Sequence, residues 1–120
     1  MVIFVDARIP VTFAAAATAG RGDALLIEGA TAAPPGVPVA RFPVAGFAGR
    51  GRGHLAGCAC CAPRGKVAEA LHRLFLARAR GETGFTTRLV VSAGREGEEA
   101  VRQALAGDAF LAGRYRLAEE

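Results

Sequence analysis

Short strand-like runs and helix-like stretches alternate along this chain. Residues 2–6 (VIFVD) form an apolar run with β-branched content, which predicts a buried strand. Pro10 suits the first turn of a helix, and the Ala-rich stretch 11–19 predicts a short one, stopped by Gly20 and Gly22. Residues 23–28 (DALLIE) predict a second buried strand. The prolines and glycine of 31–38 break both periodicities and predict a loop. Residues 39–47 read as extended, with Pro43 confining them to an edge or a broken strand. A Gly/Arg loop follows over 46–57.

The clearest periodicity comes next. Over 66–80, Val67, Leu71, Leu74, Phe75 and the stem of Arg78 recur at helical spacing, and Gly81 stops the pattern. Residues 87–92 (TRLVVS) predict a strand. Residues 97–106 predict a helix with Glu in its first turn and Val101, Ala104 and Leu105 inside. Residues 109–115 predict a shorter helix or turn, with Phe110, Leu111 and Tyr115 as core contacts. Alternation of this kind predicts an α/β fold, a small three-layer domain with a mostly parallel sheet of three or four strands and right-handed crossovers.

Composition narrows this further. The 120 residues fit one domain, and hydrophobic residues at 52% with charged residues at 22% exclude a disordered tail as the main content. Alanine alone supplies 27 residues and glycine 16, whereas aromatics are 7% and Trp is absent, so the core is built of thin side chains. No apolar run reaches the length of a membrane span. The amino-terminal segment lacks a cationic region ahead of its apolar run, so the expected compartment is the cytoplasm.

Charge is uneven. The net charge is +4, yet residues 41–80 carry eight basic side chains and one acidic one, Glu69. Such a field suits an anionic partner and lowers the pKa of neighbouring thiols; the plainer reading is a solvated basic surface.

All three cysteines lie in that basic third, as Gly57-Cys58-Ala59-Cys60-Cys61 directly ahead of the predicted helix. Thiols at a helix N-terminus, beside Arg64 and Lys66, deprotonate readily, and clustered thiolates favour Zn²⁺ or a related borderline cation. Cys58, Cys60 and Cys61 leave one tetrahedral position open. His54, water, a carboxylate or a second subunit are candidates for it. The alternative for the cysteines is structural or redox-sensing thiols, and for His54 a solvated loop histidine. His72 falls on the polar side of the 66–80 helix and reads as a surface residue.

The same segment carries a family resemblance. Gly57, Cys58, Cys60, Cys61, Arg64, the following helix and the strand around Leu89, Val90 and Val91 resemble the Cys-x-Cys-Cys segment of the CobW-like GTPases. These are metallochaperone relatives of the nickel-insertion GTPases. Residues 108–117 also resemble the stretch after that family's next helix, so the likeness spans about 57–117. It implies a truncated P-loop GTPase fold, a metal ion as ligand and a client metalloprotein as partner.

The family's Walker A loop is missing. Such a loop cradles phosphates with backbone N–H groups, a Lys and a Ser/Thr on Mg²⁺. Neither residues 6–13 nor residues 16–23 supply that set, and the 87–92 strand does not end in an acidic residue. GTPase activity is therefore not expected, and no catalytic set of residues is assigned. The expectation is a non-catalytic metal-binding domain in metal storage, delivery or sensing, assembled as a homodimer through its sheet edges. The alternative is a basic phosphate- or nucleic-acid-binding or protein-interaction module. Against nucleic acid stands the scarcity of aromatics beside the Gly/Arg loop.

Overall fold

In the computed structural model, which describes residues 6–44, 63–84 and 86–118, five strands form one all-parallel sheet in the order β3-β2-β4-β1-β5. The strands are β1 (Ile9–Phe13), β2 (Asp23–Glu28), β3 (Val39–Phe42), β4 (Arg88–Ser92) and β5 (Tyr115–Leu117). The helices are α1 (Pro63–Ala79), α2 (Arg95–Gly107) and the single turn α3 (Ala109–Ala112). The parallel α/β architecture expected above is thus present, with five strands where three or four were expected. No helix among the described residues is long and apolar enough to cross a membrane.

The centre of the sheet explains its stability. Leu25, Leu26 and Ile27 of β2 and Val90 and Val91 of β4 are fully buried. Consecutive burial requires cover on both faces, which is why these strands read as unbroken apolar runs. Each such side chain contributes about 1.5–3 kcal/mol relative to exposure.

The two faces are covered differently. On one, Ala24, Leu26, Leu89, Val91 and Val11 meet Val67, Leu71 and Leu74 of α1 and Val101 and Leu105 of α2. On the other, Leu25, Ile27 and Val90 lie under Ala16, Ala19 and the partly buried Val37 and Val39. The third layer is therefore a 3-10 turn (Ala16–Thr18) and irregular loop, while both long helices share the opposite face.

Two local expectations change. The helix expected over 11–19 is instead β1 followed by the 3-10 turn. Val11 and Thr12 are β-branched and Phe13 is aromatic, and Ile9 and Val11 are buried between β4 and β5. A nine-residue alanine-rich segment is too short to hold a helix against that burial. Pro10 is tolerated because its missing N–H would face β4 one residue before the register Val11↔Leu89 begins. The 109–115 segment divides into α3 and the start of β5 at Tyr115. The run beginning at 39 is the edge strand β3, and it stops at Phe42, ahead of Pro43, as that proline predicted. The strand expected over 2–6 has only Asp6 among the described residues, outside any strand.

The later elements follow their local signals. Gly81, at φ 77°, closes α1: its N–H bonds the Arg78 carbonyl and the Glu82 N–H reaches back to Ala77, satisfying carbonyls the helix leaves open. Leu74, Arg78 and Thr83 share a small cavity with Ile9, Ala24, Leu89 and Tyr115, which stand at or near the starts of their strands. The carboxyl end of α1 thus lies at the amino edge of the sheet. The helix runs antiparallel to the strands, as a connection between two parallel strands requires.

Candidate functional site

The carboxyl edge of a parallel sheet is where ligands usually bind. Here Glu28, the last residue of β2, reaches the start of α2. The Gly94 N–H donates to Glu28 Oε1 at 2.9 Å. A Cβ at Gly97 would stand 2.7 Å from the carboxyl carbon and from both oxygens, so the contact depends on glycine there. A carboxylate at a helix N-terminus is favourable to the helix dipole, and Glu96 and Glu98 add to it. The positive end of α2 is thereby matched from within the chain.

The segment after β1 is the place where a phosphate-binding loop would stand in a P-loop fold. It reads Ala14-Ala15-Ala16-Ala17-Thr18-Ala19-Gly20. Its amides are used locally: Thr18 N–H bonds the Ala15 carbonyl, Ala19 N–H the Ala16 carbonyl, and Gly20 N–H donates to Asp23 Oδ2 at 2.8 Å. Asp23 is in turn held by Arg88 through two bonds of 3.0 and 2.8 Å. The Arg88 guanidinium keeps the Asp23 carboxyl below its ordinary range, against the opposing effect of burial. This is a structural anchor between β2 and β4.

Cys58, Cys60, Cys61 and His54 lie outside the described residues, as do Arg50 and Arg52. The described chain resumes at Pro63, two residues after Cys61, and there α1 begins. The first turn of α1 contains no acidic residue. Its dipole therefore presents positive potential uncompensated from within that turn, beside the basic residues Arg64 and Lys66. Among the described residues, no group of three His, Cys, Asp or Glu side chains is placed to hold a metal ion.

A second cluster was not legible as such in the sequence. His72, expected as a surface residue, has its Nε2 3.2 Å from Asp108 Oδ2. Its ring stacks on Phe110 with centroids 4.6 Å apart, and Phe110 meets Phe75 edge-on at 5.4 Å. Arg114 lies over both phenyl rings. Asp108 also caps α3 by accepting from Leu111 N–H, and that bond, with His72 second, holds its carboxyl below the usual range. The cluster clamps α3 onto α1. Its members are 36 residues apart at the His72–Asp108 contact, so no local spacing announces it.

No protein-family model, curated protein or solved structure matches this chain.

Proposed function

We infer that the protein is a metal-binding module that takes up Zn²⁺ or a related thiophilic ion through Cys58, Cys60 and Cys61. The observation that carries this reading is three thiols within four residues immediately ahead of α1, whose first turn lacks acidic side chains. Positive helix potential and neighbouring cations favour thiolates, and thiolates are the form that binds soft and borderline metals. His54 is the first candidate for a fourth ligand. The resemblance to CobW-like proteins points the same way and proposes delivery, storage or sensing of the ion. GTP hydrolysis is not part of the proposal. The alanine segment after β1 has no Lys, its Thr18, Ala19 and Gly20 amides are already bonded, and Glu28 stands at the α2 terminus.

The test is metal content by elemental analysis of reduced protein purified without chelator. The expected result is about one ion per chain, lost in the Cys58/Cys60/Cys61→Ser triple variant and weakening as pH falls, because protons compete for thiolates. Equal metal in wild type and triple variant defeats the reading. His54→Ala separates the ligand sets: reduced affinity supports His54, and unchanged affinity assigns the fourth position elsewhere.

A further inference from the structure

A groove of about 680 Å³ lies between β3 and α1. β3 ends the sheet order, so one of its sides is an edge. The Leu25 N–H donates to the Pro38 carbonyl and the Gly29 N–H to the Phe42 carbonyl, each at 2.8 Å. Even-numbered residues of β3 thus turn their backbone groups toward β2. By the period of two, Val39 and Arg41 turn theirs outward. The opposite wall is α1, with Leu76 exposed at 43% and Ala77 beside it. Among the described residues nothing pairs with that outer side, and an edge strand facing a helix across an apolar floor is the arrangement that accepts an added strand from a partner.

The charge around the groove selects the partner. Its lining includes Arg41, Arg73 and Arg80 against a single carboxylate, Glu82. Arg41 Nη1 is held by the Gly29 and Thr31 carbonyls at 3.0 and 2.8 Å, which fixes the cation at the edge without neutralising it. Arg80 and Glu82 are 3.8 Å apart and both well exposed, a weak pair that an incoming carboxylate can replace. Arg73 pairs with Glu69 at 3.1 Å, also in solvent. A second copy docked edge to edge would bring the same three arginines together from both chains.

We propose that the β3–α1 groove binds an extended, acidic peptide segment of another protein, which adds a strand beside Val39–Phe42 and seats an apolar side chain against Leu76. The segment's carboxylates answer Arg41, Arg73 and Arg80. This site is independent of the metal-binding reading and stands or falls without it.

Selection of short random peptides on the full-length wild-type protein, followed by backbone NMR mapping of the strongest binders, tests this. Enriched sequences should be rich in Asp and Glu, shift the amides of Val39, Arg41 and Leu76, and lose affinity with added salt. Leu76→Asp, which puts a like charge against the peptide, should weaken binding roughly tenfold or more. Val39→Pro removes an outward N–H that the sheet does not use and should do the same. Leu76→Asp should melt near the wild type; Val39→Pro also removes a side chain packed over Leu25 and Ile27 and should melt lower, so Arg80→Glu, at an exposed position, provides the reading that folding does not disturb. Failure to enrich any binder, enrichment of neutral or basic sequences, or shifts centred on β5 overturn the proposal. So does a doubling of mass in light scattering that Val39→Pro abolishes, since the occupant would then be a second copy.

Discussion

The two faces of the sheet are held by different means. The α1/α2 face has interlocking aliphatic side chains from seven elements, including Leu71, Val101 and Leu111, all fully buried. The opposite face has Leu25, Ile27 and Val90 beneath alanines and a proline-rich loop. Among the described residues its cover lacks long side chains, so what they contribute is mainly exclusion of water, with few close contacts to lose. Rigid helices leave a cavity when a core side chain is shortened, whereas a loop can settle into the gap.

This contrast gives the largest expected effect. Leu71→Ala should cost about 3–5 kcal/mol and Leu25→Ala about 2–3 kcal/mol, although both residues are fully buried. Denaturant unfolding of the two variants measures the difference. Equal losses would mean that the loop face is as stiff as the helix face.

Tyr115 sharpens the helix side. Burial pushes its phenol from 10.0 up to about 12, partly offset by the nearby Arg78 charge. A raised folded pKa favours the neutral phenol in the folded state. That stability is complete below pH 10 and is lost as pH rises towards 12, to a total of about 2–3 kcal/mol. Tyr115→Phe keeps the ring and cannot ionise. It should therefore lose less stability than wild type between pH 10 and 12, and parallel curves for the two proteins would count against the assignment.

Asp23 and Arg88 sharpen the loop side, where they close the amino edge next to Leu25 and Val90. Asp23→Asn should cost about 1–2 kcal/mol at neutral pH by weakening a charge-assisted pair. The folded carboxyl lies below its ordinary value of 3.8, so the wild type's advantage is present above that value and disappears as pH falls further. Convergence of the two unfolding curves in acid is the expected signature; a constant gap would place the effect elsewhere.

The smallest effect lies where the helix face meets the carboxyl edge. Gly97→Ala gains about 1 kcal/mol of helix propensity but displaces Glu28 from Gly94, so the net change should be near zero. In a Glu28→Ala background the same substitution should stabilise by about 1 kcal/mol. A gain of that size in the wild-type background would show that Glu28 moves aside freely.

The helix face was also the legible face. Val67, Leu71 and Leu74 state α1 by their spacing, Gly81 states its end, and the apolar runs around Leu26 and Val90 state β2 and β4. β1 was hidden because Ala14–Ala17 favour a helix locally, while Ile9 and Val11 become strand residues only through distant β4 and β5. β5 was hidden because three residues carry no measurable periodicity. The same holds at the site level. Cys58, Cys60 and Cys61 announce themselves by adjacency. Glu28 with Gly97, and His72 with Asp108, meet only through the fold, and the outward-facing edge of β3 exists only once the strand order is known.

That strand order also governs timing. Among the described residues β1 is the first strand along the chain, yet its neighbours are β4 and β5, and Ile9 pairs with Tyr115. No hairpin can form in an all-parallel sheet, so each pairing waits for a long loop to close. A chain growing from its amino end carries the unpaired IPVTF segment until β4 has emerged, and it cannot complete both sides of β1 until residue 117 is available. Folding should accordingly be slow for a domain of this size, with its rate set by the closure of β1 into a sheet nucleated elsewhere, around β2 and β4.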